Sequence, residues 1–428
     1  MTHPLSEPNN QGLAKLEDLS HGGRGPGASR LTELPAVTAG SKLLQWTILA
    51  ALLAVCLGFP LVQAIKEISV DKESPHILRL LTRVPTKENL HAWDQSARDR
   101  NIFSKSIRPT ILQWQYDFFG DLGSKAIAGK EDWLFYKPDI QALVQPAWNS
   151  DRFYHDTFDT TLSSGKTVNV RNPFVAISKF RDELASRGIQ LLLLPIPGKP
   201  TLYPEKLVGH PLSGIAPLHD FIAALRQNDF LVIDVLTPLE KTKQTDSQEL
   251  YLRRDTHWTP AGIECVANAV ASEIKPFLGD SLVKRIYRQN AVRVNRQGDI
   301  VEMTNLPKRH QIWQPQPVSA IQIIDSLTGE RYRDDLQSPI LWLGDSFSRI
   351  YQTDEPHSAG LIAHVAAKLG IPLSSLVNDG GASTAVRQQL LRRPELLKDK
   401  KVVVWEFVER DIRFGKDGWQ LLPLPEAI

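Results

Sequence analysis

The sequence predicts an α/β fold, a parallel sheet covered by helices on both faces, carried behind one apolar segment long enough to cross a membrane. Three observations predict it. Short continuous apolar runs recur from residue 189 onward, amphipathic helical segments separate them, and a long uncharged stretch lies between Lys42 and Lys66. Strands that are apolar throughout belong to sheets buried on both faces, and helices between them supply the crossovers that parallel pairing needs.

Residues 1–42 carry His21-Gly-Gly-Arg-Gly-Pro-Gly27 and little apolar periodicity, which predicts a disordered tail. Residues 43–65, LLQWTILAALLAVCLGFPLVQAI, match a hydrocarbon core of about 30 Å at about 1.5 Å per residue. The tail ahead of this run is longer than an ordinary signal-peptide leader, which favours an uncleaved anchor. The alternative is cleavage after Val62-Gln63-Ala64, with Pro60 breaking the helix. Arg24, Arg30 and Lys42 before the span balance Lys66, Lys72 and Arg79 after it, so charge bias sets no orientation. Residues 66–125 read as a stalk and helical linker, with Ile111, Leu112, Trp114 and Phe118 at helical spacing.

The remaining stretch, 126–428, reads as the folded domain. A helix from Asn172 ends at Gly188 and leads into a strand at 189–195. A helix near 218–228 precedes a strand at 230–235, and Thr259 with Pro260 opens a helix that runs to Ile274. Strands follow at 340–345, 374–378 and 401–408, with a helix at 360–370 and another before the last strand. Fifty Lys and Arg against 48 Asp and Glu leave a net charge of +2, too little for a nucleic-acid groove to be the default. The two cysteines, Cys56 and Cys265, form no zinc or redox motif, and neither a metal nor a cofactor is implied. The 10 tryptophans fit sugar stacking but equally an ordinary core.

Ligand sites of parallel α/β sheets collect at the carboxyl ends of the strands. There the chain reads Gly344-Asp345-Ser346-Phe347-Ser348, a turn that puts a serine hydroxyl at the sheet edge and its N–H where an oxyanion develops. Gly-Asp-Ser is also common turn chemistry. Asp255-Thr256-His257-Trp258 stands just before the capped helix, with a carboxylate positioned to orient an imidazole base. Together Ser346, His257 and Asp255 form a candidate catalytic triad.

Gly344-Asp345-Ser346-Phe347 resembles the first block of the SGNH hydrolases, and Asp255-Thr256-His257-Trp258 resembles the signature of the alginate O-acetyltransferase group, the AlgJ/AlgX-like proteins. The likeness extends through Gly129–Tyr136, Lys199–Glu205, Gly298–Met303, and Trp405-Glu406-Phe407 with Arg410, over about 126–415. It implies a permuted SGNH hydrolase-like, flavodoxin-like sheet, because here the Asp/His block precedes the serine. It also implies Gly380 or Gly381 as an oxyanion donor, and Arg410, Tyr203, Lys199 and Trp258 as substrate contacts. Tyr203 equally suits packing, and Arg410 equally suits a pair with Glu406 or Asp411. Two departures stand out: Glu406, Phe407 and Arg410 occupy the place of the third-block asparagine, and Asp132 the place of a glycine before Trp133.

The resemblance further implies a periplasmic enzyme at the inner membrane. Ser346 would take an acetyl group passed on by a membrane-bound O-acyltransferase and deliver it to an exported polysaccharide, within a larger export complex. The alternatives are a carbohydrate acetylesterase with the same triad, or a non-catalytic polysaccharide-binding scaffold.

Overall fold

The computed structural model describes residues 42–69, scattered positions between 72 and 94, and then 102–144, 157–161, 167–210, 217–279, 282–414 and 418–425. The expected tail, apart from Lys42, lies outside the described residues, as does most of the linker before residue 102. The chain divides into two units, Met1–Phe103 and Ser104–Ile428.

In the first unit the apolar run forms one helix, Lys42–Ser69, which keeps Pro60 in its interior. Its segment Leu44–Ser69 is long and apolar enough to cross a membrane.

The second unit contains strands β1 (Ala126–Ala128), β2 (Leu134–Tyr136), β3 (Thr157–Thr161), β4 (Thr167–Arg171), β5 (Gln190–Ile196) and β6 (Leu231–Val232). β7 (Tyr287–Arg296), β8 (Gln316–Asp325), β9 (Ile340–Gly344), β10 (Ser374–Val377) and β11 (Val402–Val408) complete it. Five of them form one sheet in the order β10-β9-β11-β5-β6, every neighbouring pair parallel. Counted from β9 and continuing past β11 to β5 and β6, that order is the 2-1-3-4-5 of the flavodoxin-like sheet. The chain is therefore the permuted α/β fold expected: the last two strands of the flavodoxin-like order come first in sequence. The turn after β9 lies at the switch point, where such sheets open a crevice.

Alternate side chains feed two cores. On one face Leu192, Leu194, Trp342, Val402, Val404 and Val408 pack with Ile263, Val266 and Val270 of the helix Pro260–Ile274 and with the helix Leu361–Leu369. On the other, Leu191, Leu193, Leu341, Leu343, Val403, Trp405 and Phe407 meet the helices Pro173–Ala185, Pro217–Gln227 and Ala385–Leu391. Thr259 accepts from the Gly262 N–H at 3.3 Å and Pro260 fills the first helical position, as their sequence pattern predicts.

Three differences from expectation have physical causes. β6 pairs only through Leu231 and Val232, because the Asp234 carboxylate accepts from the N–H and hydroxyl of Thr237 and turns the chain into the helix Leu236–Thr245. The antiparallel pair β7–β8 went unpredicted because most of β7 is exposed and polar, so no alternating apolar pattern marks it. The helix Ile102–Phe119, expected as linker, packs through Leu112 and Tyr116 against Ile312 and Trp313, and the compact unit starts at Ser104.

Candidate active site

Ser346 opens a four-residue helical turn directly after β9. Asp345 caps it, its carboxylate accepting from the Phe347 N–H at 2.8 Å. The Asn378 N–H donates to the Gly344 carbonyl at 3.0 Å, so the loop 378–381 that follows β10 lies beside the serine turn. Phe347 packs inward against the rings of His257 (4.7 Å), Trp258 (4.9 Å) and Tyr251 (6.2 Å), anchoring the turn to the segment that carries the histidine.

That segment is a tight loop closed by an isolated bridge between Tyr251 and Trp258. At its tip Asp255 Oδ1 accepts from the His257 backbone N–H at 3.1 Å and meets His257 Nδ1 at 2.6 Å. The opposite ring nitrogen, Nε2, lies 2.8 Å from Ser346 Oγ, across 89 positions of sequence. Exposure rises from 1% at Asp255 through 4% at His257 to 9% at Ser346, so the row of three opens to solvent at the serine. Burial works to lower the His257 pKa, but the Asp255 carboxylate beside it, with Asp299 adding to the effect, leaves it raised. Asp255 itself is held well below the usual carboxylate range: burial opposes this, and the His257 and Arg296 charges outweigh burial.

Sequence reasoning gave Asp299 no role. Its backbone N–H donates to Asp255 Oδ2 at 3.3 Å, while its carboxylate accepts from the Thr256 N–H (2.7 Å) and hydroxyl (2.6 Å). Burial and the neighbouring Asp255 charge push its pKa up to about 6. The signal was present in Gly298-Asp299: at φ +90, a Cβ on Gly298 would meet the Arg254 carbonyl at 2.3 Å, so only glycine lets Asp299 come this close. Ligand atoms of Asp255, His257 and Asp299 lie within 4.8 Å of one another, a grouping that could hold a cation, yet these atoms are already joined by the hydrogen bonds just described.

Three expected substrate contacts are buried and need correcting. Lys199 is fully buried, and its ammonium donates to the carbonyls of Leu252 (3.1 Å), Arg253 (3.0 Å) and Asp255 (2.7 Å). It holds the histidine loop from below, and burial lowers its pKa to about 7. The Tyr203 hydroxyl accepts from the Leu250 N–H at 2.8 Å and its ring packs on Trp133, the packing alternative named for it. Trp258 has no exposed surface.

Arg410 keeps 13% side-chain exposure, lies 6.0 Å from the Phe347 ring, and pairs with Asp139 at 2.9 Å rather than with Glu406 or Asp411. Of the two glycine candidates, Gly381 spends its N–H on the Asn378 carbonyl at 3.1 Å, which leaves Gly380, at φ +64 in the same loop, as the one to retain. Asp132 adopts the left-handed φ of +67 that a glycine takes readily, and its carboxylate pairs with Arg254 at 2.7 Å.

Residues 126–409 match the model of one family, the SGNH hydrolase-like domain of acetyltransferase AlgX. The chain belongs to this family. The family's match begins at β1 and runs through β11, so it takes in the whole central sheet and all three residues of the row. A probable alginate O-acetylase AlgJ of Pseudomonas fluorescens is 25% identical over 305 residues, 69% of this chain and 70% of that protein. A second, from Azotobacter vinelandii, is 25% identical over 313 residues, 71% of this chain and 73% of its own length. Among solved structures, the O-acetyltransferase domain of Pseudomonas putida AlgJ matches with a TM-score of 0.50 at 23% identity, over 67% of this chain and 92% of that domain, a likeness of fold.

Proposed function

We propose that the chain is a serine-dependent O-acetyltransferase that modifies an exported polysaccharide. The observation that carries this reading is the unbroken row Ser346–His257–Asp255, with spacings of 2.8 and 2.6 Å. His257 Nε2 takes the Ser346 proton as Oγ attacks the acetyl carbonyl, and Asp255 at Nδ1 stabilises the imidazolium. The N–H groups of Ser346 and Gly380 receive the negative oxygen. Collapse expels the donor's leaving group, which takes the proton from His257, and Ser346 is left as an acetyl ester. A sugar hydroxyl then gives its proton to His257, attacks the ester carbonyl, and leaves acetylated while Ser346 regains its proton.

The relatives named as alginate O-acetylases support a polysaccharide acceptor, and the helix Leu44–Ser69 supports anchoring in a membrane. The domain then works on the periplasmic side of the inner membrane, receives acetyl groups from a membrane-bound O-acyltransferase, and acts within an export complex. Arg410 is the charged side chain placed to meet substrate beside Phe347.

Full-length chain in detergent, given a chromogenic acetyl ester with and without acetyl-free oligosaccharides, tests the reading. Acetylated sugar should form, and Ser346→Ala should abolish it by several orders of magnitude while shifting stability by no more than about 1 kcal/mol. Hydrolysis without transfer to any sugar would make the protein an acetylesterase. Turnover unchanged in Ser346→Ala would remove the acetyl-serine step, and a wild-type chain that turns over no ester would leave a binding scaffold.

A further inference from the structure

Glu406 points into an otherwise apolar face of the sheet, between Val404 and Val408 on β11, and has no exposed surface. A lone buried carboxyl is costly and persists only when its neighbours satisfy it. Its neighbours are the residues of the serine turn. Glu406 Oε2 accepts from the Asp345 N–H at 2.9 Å and from the Ser348 hydroxyl at 2.6 Å, and Ser348 Oγ in turn accepts from the Trp342 indole at 2.7 Å. The same oxygen explains Gly344: a Cβ there would sit 2.6 Å from Glu406 Oε2 and 2.4 Å from Ser348 Oγ.

The other two oxygens complete the picture. Glu406 Oε1 and Asp345 Oδ2 are both buried with no donor provided by any neighbour, although the two carboxyl side chains stand within hydrogen-bond reach of each other. Two carboxylates cannot satisfy each other, whereas an acid and a carboxylate can.

We propose that Glu406 is a positioning residue for Ser346, a neutral carboxylic acid that shares its proton with Asp345 and so clamps the serine turn to β11. Three bonds then run from one side chain to that turn: two accepted at Oε2 and one donated from Oε1. Chemically the side chain behaves as a glutamine would, and this accounts for a buried acid at the position where the asparagine of the third block is missing. Burial and the Asp345 charge push the Glu406 pKa well above its ordinary value, in keeping with the neutral form. Among the other charged groups nearby, Arg410 acts on Asp345 but is committed to Asp139 of the helix Lys137–Leu143. His257 packs against the Phe347 ring with centroids 4.7 Å apart and is paired with Asp255.

The inference rests on Ser346 being the residue acylated, and its test keeps the two apart. The full-length protein in detergent is compared with Glu406→Gln and Glu406→Leu by infrared difference spectroscopy and by the kinetics of a chromogenic acetyl ester. Above about pH 8, where Asp299 and Glu409 have ionised, wild type minus Glu406→Gln should show the carbonyl band of a protonated carboxylic acid.

Glu406→Gln, which can accept twice and donate once, should keep kcat within about threefold. Glu406→Leu should lower kcat by about 100-fold or more while KM changes little, because a displaced nucleophile loses rate rather than binding. Absence of the band, a glutamine variant as slow as the leucine variant, or a leucine variant as fast as wild type would overturn the proposal. If the leucine variant fails to fold, the band and the glutamine variant decide. Ser346→Ala reacting like wild type would instead remove the acetyl-serine reading and leave the shared proton standing.

Discussion

Ser346 stands at the end of β9, a strand paired on both sides by β10 and β11, whereas His257 stands in a loop outside that sheet, closed by an isolated bridge. Backbone ladders hold the strand that carries the serine. The histidine loop is instead held by side chains reaching in from elsewhere: Lys199 from the turn after β5, Asp299 from beyond β7, and Phe347 from the serine turn itself. A site built half from ladders and half from buried polar bonds should fail in two different ways, since a polar network loses its geometry when one member is removed.

The largest effect should come from Lys199→Met. It removes the ammonium and leaves the Leu252 and Asp255 carbonyls without a donor, while the Arg253 carbonyl keeps the Leu134 N–H, so stability should fall by about 3 kcal/mol in urea unfolding. Ester turnover should fall by about 100-fold as the histidine loop slackens. A variant as active as wild type would show that the loop holds its own shape.

Asp299→Asn should act through charge rather than collapse. In the proposed mechanism His257 must be neutral to act as the base, so activity should rise with pH through its pKa, which the Asp255 and Asp299 charges keep raised against burial. Removing the Asp299 charge should move the acid limb of kcat/KM to lower pH by up to about one unit. Folding carries the opposite sign. Asp299 holds its proton more tightly folded than unfolded, so its contribution is present below its ordinary value of 3.8 and is lost as pH rises through about 6. The asparagine variant should therefore show a flatter Tm across that window.

The smallest effect should come from Thr259→Ala, which deletes the cap of the helix after the loop. It should cost about 1 kcal/mol in thermal unfolding and leave the acid limb in place. A shift of that limb would mean the helix terminus tunes the histidine as well as ending the loop.

What the sequence made legible follows the same division. The cap at Thr259, the apolar run of β9 and the serine turn are local patterns, and each stands in the structure where its residues predict. The strand order followed from the Asp/His block preceding the serine. Lys199, Asp299 and Glu406 act on residues 56, 44 and 61 positions away, and no local spacing encodes such contacts. Lys199 beside Pro200 reads as an exposed cation, and it takes the end of β5 folding over the loop 252–255 to bury it. Glu406 was visible only as a departure from the resemblance, standing in the place of the third-block asparagine.

The strand order has a consequence for how the protein is made. β11 leaves the ribosome after the other four strands of its sheet, yet it lies in the middle of that sheet, joining β9 on one side to β5 on the other. Until residues 402–408 arrive, the half that carries Ser346 and the half that carries His257 have no common strand. Chains assemble slowly when their defining contacts are distant in sequence, and here residues 402–408 must find residues 190–196. A polypeptide that stops short of residue 402 thus holds Ser346 and His257 without the strand that joins their two halves.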